Sequence, residues 1–315
     1  MKRRILVTGA GGYIGCILTE ILLEKGYKVR AVDRYFFGKD LVIKNPDLEI
    51  IQDDTRFFKE SYLDDVDSII DLAAISNDPS GELFQKATWD INHLARVNLA
   101  KMAKKAGIHR YILPSSCSVY GFLDEGVIAD ETSPTNPLTT YAKANYAAER
   151  DVLSLFDDSF CVTVIRQATV YGYSPRMRFD LAINGMTYGA WKDGVIPLMR
   201  DGAQWRPMVH VRDTSAAMCL LLDSKKDRIN GETFNIGSDS NNYQLKLLAE
   251  TVASTLPNDV SIEWYGDPDH RSYRVSFEKI KNIGFEAKYL AEDGVREIAN
   301  ALESGLTDKT DKTIT

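Results

Sequence analysis

Short apolar runs rich in β-branched residues recur at 5–7, 29–32, 49–51, 68–70, 111–113 and 162–165. Between them, residues 14–23, 90–106 and 141–155 place apolar side chains at a spacing near 3.6 with few breakers, so each reads as an amphipathic helix with one buried stripe. Short strands alternating with longer helical patterns predict a parallel sheet covered by helices on both faces. The expected fold class is therefore α/β, a doubly wound Rossmann-type sheet. After Gly172 the texture shifts to Gly, Pro, Trp and Arg, most clearly over 185–207, and periodicity weakens. We expect a dinucleotide-binding domain over 1–172 and a smaller C-terminal α/β substrate-binding domain over 173–305. The stretch 206–237, with a helix over 213–222 and a strand over 233–236, is expected to return to the first domain. The polar residues 306–315 read as a frayed, flexible tail.

Composition narrows the function classes. With 44% hydrophobic and 26% charged residues among 315, the chain can bury one large core or two joined ones. A net charge of -7 gives no electrostatic reason to bind nucleic acid or an anionic membrane. The basic start Lys2-Arg3-Arg4 is followed by only three apolar residues before Thr8-Gly9, too few for a signal peptide. No stretch approaches the roughly 18 apolar residues of a membrane span. The cysteines 16, 117, 161 and 219 are widely spaced and form no disulfide-rich or metal-binding pattern, which fits a reducing compartment. A cytoplasmic protein is expected. His93, His109, His210 and His270 lack metal-ligand spacing, so no metal is expected.

The first apolar run leads into Thr8-Gly9-Ala10-Gly11-Gly12-Tyr13-Ile14-Gly15. Gly9, Gly12 and Gly15 after a strand and opening a helix meet the requirements of a phosphate-gripping turn. Glycine permits the tight turn and lets backbone N–H groups approach a pyrophosphate at the positive end of the helix. Taken alone the triplet is equally a plain loop. Asp33 closes the second strand where a carboxylate accepts hydrogen bonds from adenosine ribose hydroxyls and repels a 2′-phosphate, which favours NAD over NADP. Arg34 pulls the other way, since a guanidinium pairs with such a phosphate or stacks on adenine.

These glycines, followed by Asp54-Thr55-Arg56, Leu72-Ala73-Ala74, Ser115-Ser116-Cys117-Ser118-Val119-Tyr120-Gly121 and Tyr141, resemble the extended short-chain dehydrogenase/reductases, the nucleotide-sugar epimerases and dehydratases. The likeness continues through 166–172, 206–213, Phe234-Asn235-Ile236-Gly237 and Asp269-His270-Arg271. It implies NAD as cofactor, held by Gly9, Gly12, Tyr13, Ile14, Gly15, Asp33, Arg34, Asp54, Thr55, Leu72, Ala73, Ala74, Asn92 and Ser115. Asp54 and Thr55 would meet the adenine. Tyr141 is implied as the base that takes a proton from a sugar hydroxyl, with Ser116 bonded to the same oxygen. A phenol titrates near pH 10, so the role needs positive charge nearby. The family places Lys four residues after the tyrosine, whereas this chain has Asn145. Lys143 is two residues on, about 200° around the helix, and should face away. The oxidised nicotinamide and the helix N-terminus are then the remaining electrostatic help. Full cofactor binding with impaired or altered proton transfer follows.

After Ser116 the family's 4,6-dehydratases carry an acid pair and its decarboxylating members a glutamate, but here stand Cys117 and Ser118. Without an acid to protonate a leaving hydroxyl, oxidation and re-reduction at C4 through a 4-keto intermediate fits better than elimination. A 4,6-dehydratase or a C4 dehydrogenase/reductase is the alternative. Cys117 either packs the strand end or serves as a second acid. The substrate implied is a nucleotide-diphosphate sugar, with Arg206 and Arg271 on the diphosphate. Arg176, Thr169, Cys117, Ser118, Asp180 and Asn184 complete the substrate set, Asp180 and Asn184 facing nucleotide or sugar. The run from Ser174 to Leu181 is similar to that of nucleotide-heptose 4-dehydrogenases. A homodimer through two helices of the first domain is also implied. Two rival classes remain at this point: a catalytically weakened NAD and nucleotide-sugar binding protein, and a reductase of small non-nucleotide carbonyls.

Overall fold

All six apolar runs lie within strands, each one to four residues longer than its apolar centre. The computed structural model describes residues 2–124, 126–267, 271–310 and 313–314. Along the chain run β1 (Arg4–Thr8), α1 (Tyr13–Glu24), β2 (Lys28–Asp33), β3 (Leu48–Gln52), β4 (Ser68–Asp71), α2 (Asp78–Leu83), α3 (Gln85–Trp89), a π-helical segment (Asp90–Ala95), α4 (Arg96–Lys105), β5 (Arg110–Ser116), β6 (Ile128–Ala129) and α5 (Thr140–Leu153). There follow β7 (Cys161–Gln167), β8 (Thr169–Tyr171), α6 (Ala182–Asp193), β9 (Val195–Met199), β10 (Trp205–His210), α7 (Val211–Asp223), β11 (Glu232–Ile236), β12 (Asn242–Gln244), α8 (Leu245–Thr255), β13 (Ser261–Tyr265), β14 (Arg274–Val275), α9 (Glu278–Lys281) and α10 (Ala291–Glu303).

The first compact unit takes residues 1–119, 137–166 and 215–234. Its sheet has the order β11-β7-β5-β4-β1-β2-β3, and β5, β4, β1, β2 and β3 pair in parallel. The run over 233–236 supplies the seventh strand at one edge. Strand order reverses between β1 and β4, and in such sheets ligands bind outside the carboxyl ends at that switch point. One face of the sheet is sealed by Leu6, Ile69, Tyr111, Leu113, Val162 and Val164 against Leu99, Ala100 and Ala103 of α4 and Ala148 and Val152 of α5. Each fully buried aliphatic side chain in such a layer contributes about 1.5–3 kcal/mol.

Helix α3 passes into α4 through the π segment Asp90–Ala95. Such segments are rare and gather at functional sites. Asn92, within it, grips the main chain beyond β4: its Oδ1 accepts from the Ile75 N–H at 2.9 Å and its Nδ2 donates to the Ile75 carbonyl at 2.8 Å.

The second unit takes residues 120–136, 167–214 and 235–315. Its second segment therefore starts at 167, where a boundary after Gly172 was expected, and it also includes 120–136. The returning segment is 215–234 where 206–237 was expected. Three small sheets, β12-β10-β8, β13-β9 and β14-β6, accompany a core of Ile183, Met186, Leu198, Leu248, Val252 and Val295. Helix α6 and strand β9 occupy the stretch whose periodicity was weak. The reason is glycine used for close approach: a Cβ on Gly185 would lie 2.7 Å from the Phe179 carbonyl, and one on Gly189 2.6 Å from that of Val195. Small residues demanded by neighbouring backbone erase an amphipathic signal.

Described residues of the C-terminal tail, which was expected to fray, make contacts within this unit. Thr313 accepts a hydrogen bond from the Phe179 N–H at 2.8 Å, and the Lys309 ammonium lies 5.4 Å from the centre of the Tyr188 ring. A polar tail reveals no partner in its own sequence because its partners, the Phe179 N–H and the Tyr188 ring, lie more than a hundred residues earlier. Among the described residues, no helix is long and apolar enough to cross a membrane.

Candidate active site

At the carboxyl end of β1 the chain must turn within van der Waals contact of the next strand. A Cβ on Gly9, whose φ is +66°, would lie 2.8 Å from the Ala73 nitrogen, and one on Gly15 would lie 2.2 Å from the Gly9 carbonyl oxygen. Both positions are closed to any side chain. Gly12 differs: its Cβ would meet only the Gly9 oxygen, at 3.0 Å, and no side chain caps α1. Open space beside a glycine at an uncapped helix start is the fit a pyrophosphate needs. Tyr13 is buried and Ile14 half-buried in the first turn of α1.

The Asp33 carboxylate accepts from Gly11 N–H at 3.2 Å and from Tyr35 N–H at 2.6 Å, so it is fixed at the end of β2 beside the glycine turn. Arg34 pairs with Asp54 at 3.3 Å and lies 4.1 Å over the Phe36 ring. Arg56 binds the same carboxylate at 2.6 Å and, against the opposing effect of burial, holds the Asp54 pKa below its usual range. Thr55 opens the short turn that Asp54 caps. Leu72, Ala73 and Ala74 are half-buried after β4, and the Ala73 N–H donates to Thr8 Oγ1 at 3.0 Å. Thr8 in turn donates to Asp71, which also accepts from Tyr111 at 2.5 Å. This tether holds the β1 and β4 ends together.

Tyr141 stands in the first turn of α5, whose N-cap is Thr139. Helix α2 docks on this end: Thr139 Oγ1 donates to Asp78 at 2.6 Å, and the Thr140 N–H donates to Glu82 at 2.6 Å. A Cβ on Gly81 would lie 3.1 Å from the Tyr141 Cβ, so glycine there lets α2 seat against the tyrosine. Sequence reading missed Asp78, Gly81 and Glu82, although a short Asn-Asp-Pro start is a recognisable helix-capping signal.

Ser116 ends β5, and its Oγ accepts from the Ser118 N–H at 3.1 Å. Cys117 is buried with its thiol donating to the Arg166 carbonyl at 3.3 Å. The Ser118 hydroxyl is buried and makes no hydrogen bond among the described residues. Ser115 donates to Glu149, whose other oxygen accepts from Arg166 at 2.8 Å. Asn145 is 1% exposed while Lys143 is exposed, as the 200° offset requires. Asn145 Nδ2 donates to the Tyr141 carbonyl at 3.1 Å, and its Oδ1 accepts from Arg96 Nη1 at 2.9 Å. Arg96 was not singled out in the sequence, though it falls four residues after Asn92, on the same helical face.

In the second unit, Arg206 Nη1 donates to the carbonyls of Trp205, at 2.9 Å, and Arg271, and its guanidinium lies 5.2 Å over the Tyr273 ring. Arg206 and Arg271 are thus brought side by side. Thr169 pairs in register with Met208. Arg176 is buried and donates to the Met177 carbonyl at 3.2 Å. Asp180 binds Arg178 at 3.2 Å. Asn184, expected to face a ligand, is fully buried and clamps the backbone, accepting from Gly172 N–H and donating to the Arg178 carbonyl, both at 3.0 Å. Asp269 and His270 lie outside the described residues. His210 is a packing residue, stacked 4.2 Å from Tyr289 and 2.9 Å from Glu297.

The sequence profile of the NAD dependent epimerase/dehydratase family matches residues 5–237. The chain is 30% identical over 262 residues to an uncharacterized UDP-glucose epimerase, YtcB, of Bacillus subtilis, covering 78% of this chain and 80% of that protein. The solved structure of MoeE5 in complex with UDP-glucuronic acid and NAD superposes with a TM-score of 0.85 at 27% identity, covering 96% of this chain and 99% of that one. A UDP-glucuronic acid 4-epimerase from Bacillus cereus shares the fold at 22% identity, TM-score 0.85, again over 96% and 99% of the chains.

Proposed function

The chain belongs to the NAD dependent epimerase/dehydratase family, and we propose that it acts at C4 of a nucleotide-diphosphate sugar, oxidising and re-reducing that carbon through a 4-keto intermediate. The observation that carries this reading is the edge where β1, β4 and β5 end together, bearing the glycine cradle, Ala73 and Ser116, with Tyr141 opening α5. The cradle suits NAD, with Asp33 on the adenosine ribose and Gly12 beside the pyrophosphate. Bound NAD supplies the hydride acceptor and returns the hydride.

Tyr141 takes the proton of the C4 hydroxyl, and Ser116 donates its hydroxyl hydrogen to the same oxygen. Bringing a phenol from a pKa near 10 to neutrality takes about 4 kcal/mol. The α5 N-terminus offers about 0.3–1 kcal/mol, so further positive charge is required. Cys117 is committed to the Arg166 carbonyl and Ser118 is no acid, which supports epimerisation or C4 oxidation and reduction over loss of water. Arg206 and Arg271 take the diphosphate. We expect Arg206→Ala or Arg271→Ala to weaken UDP-glucose binding at least about tenfold, the loss of a charge-assisted contact, in a calorimetric titration of the NAD-loaded protein. Unchanged affinity in both would leave the substrate class without support and favour a small carbonyl compound.

The four buried, reduced cysteines support a reducing compartment such as the cytoplasm. Leu83, Phe84, Trp89, Leu94 and Tyr146 are exposed on or between α2, α3, the π segment and α5, elements that pack on one another, which supports an apolar face here. We assign it to a second copy of the chain. Leu94→Glu should convert a dimer to a monomer in sedimentation at micromolar concentration. A monomeric parent protein would remove this assignment.

A further inference from the structure

We propose that Arg96 supplies the positive charge that Tyr141 needs, acting through Asn145 as a positioning residue. The inference rests on the reading of Tyr141 as the base. Arg96 is 3% exposed, and its guanidinium is held by neutral oxygens: Nε donates to the Ala73 carbonyl at 3.1 Å and Nη1 to Asn145 Oδ1 at 2.9 Å. Among the described residues it forms no ion pair. A guanidinium stays charged when buried, and burying one against neutral groups alone is costly. The site is therefore electrostatically incomplete as it stands. An anion appearing nearby, such as the Tyr141 phenolate, would complete it.

The geometry carries the charge to the right turn of helix. Asn145 is one turn beyond Tyr141 on the same face, and its two side-chain bonds run to Arg96 on one side and to the Tyr141 main chain on the other. Ala73, the second anchor of Arg96, lies in the loop that abuts Gly9. So Arg96 bridges the cofactor loop and the helix of the base. Asn145 is then the neutral partner that a buried guanidinium requires. A lysine at 145 would set an ammonium against it.

Other charged groups nearby already have partners. Asp71 accepts from Thr8 and Tyr111, and the Tyr111 hydroxyl also reaches the Arg96 carbonyl at 3.2 Å. Burial pushes the Tyr111 phenol well above its ordinary range, which keeps it neutral. Glu149 on α5 is paired with Arg166. Asp78 and Glu82 on α2 bind the start of α5, Lys143 is exposed, and Asp151 on α5 pairs with His93. Among the described residues around Tyr141, Arg96 is a buried cation whose hydrogen bonds go to neutral oxygens alone, with Asp71 reaching it only by way of Tyr111.

The test compares Arg96→Gln, Arg96→Lys, Asn145→Lys and the double variant Arg96→Gln with Asn145→Lys. Tyr141 ionisation is read without sugar, from phenolate absorbance in pH titrations taken as the difference from Tyr141→Phe in each background. In parallel, NADH formation in a single turnover with UDP-glucose is followed across pH, and NAD affinity by calorimetry. Arg96→Gln should raise the Tyr141 ionisation and the acid limb of the rate profile together by about one to two pH units, with NAD affinity changed much less. Arg96→Lys should recover most of that shift. Asn145→Lys alone should lower the melting temperature, and the double variant should regain both stability and ionisation. The inference is overturned if Arg96→Gln leaves Tyr141 titrating as in the parent, or if Asn145→Lys is better tolerated with Arg96 present than without it. Should Arg96→Gln fail to fold, the lysine variants and the double variant still decide the matter. If Tyr141→Phe keeps full turnover, the reading of the base fails, whatever Arg96 does.

Discussion

Replacing Tyr141 by Phe should slow NADH formation from UDP-glucose by about 10²–10⁴, the usual contribution of a positioned acid–base group. The fold should tolerate the change. Gly81 packs on the Tyr141 Cβ and backbone, both retained in Phe, and Asn145 bonds the main-chain carbonyl, not the phenol. The expected signature is a collapse of kcat with a melting temperature close to the parent and NAD affinity preserved. Stopped-flow absorbance with calorimetry measures all three. A loss confined to KM would instead mean that Tyr141 only binds sugar.

The second large effect separates two glycines three residues apart. Gly15→Ala should destabilise the first unit by about 3 kcal/mol, because its Cβ would lie 2.2 Å from the Gly9 carbonyl and 2.7 Å from the Ala10 Cα. Neither atom can move without breaking the turn. Gly12→Ala should cost only about 1 kcal/mol, since its Cβ meets a single oxygen at 3.0 Å. Yet Gly12→Ala should lose NAD at least about tenfold, the added methyl occupying the space beside the pyrophosphate. Urea unfolding and NAD titration of both variants give the comparison. Equal stability losses, or full NAD affinity in Gly12→Ala, would remove the cradle from this position.

The sheet was legible because its strands are buried by local, periodic composition, and the glycine turn was legible because position after a strand distinguishes it from any loop. Asn145 could be identified as a departure at its site. Its meaning could not, since the partner, Arg96, is 49 residues away in sequence and reads in α4 like any helical arginine. Ser115 illustrates the same limit: the motif placed it beside cofactor, while its hydroxyl goes to Glu149, a residue no motif marks. Asn184 looked like a ligand-facing amide and is a backbone clamp for Gly172 and Arg178. Short-range pattern reports burial and turns, and polar pairing across the chain stays hidden until folding brings the partners together.

The π segment between α3 and α4 carries a further implication. A π turn accommodates one residue more than an α turn over the same rise, so the helix across 90–95 behaves as an α-helix bearing a single inserted residue. Because the wider turn absorbs that residue, the α-helical stretches on either side keep the register they would have without it. What the extra residue changes is local: it sets Asn92, whose amide holds Ile75, on a widened turn just before Arg96, which holds Ala73. A one-codon difference in this segment is thus a mark by which relatives sharing the widened turn can be sorted from their genes.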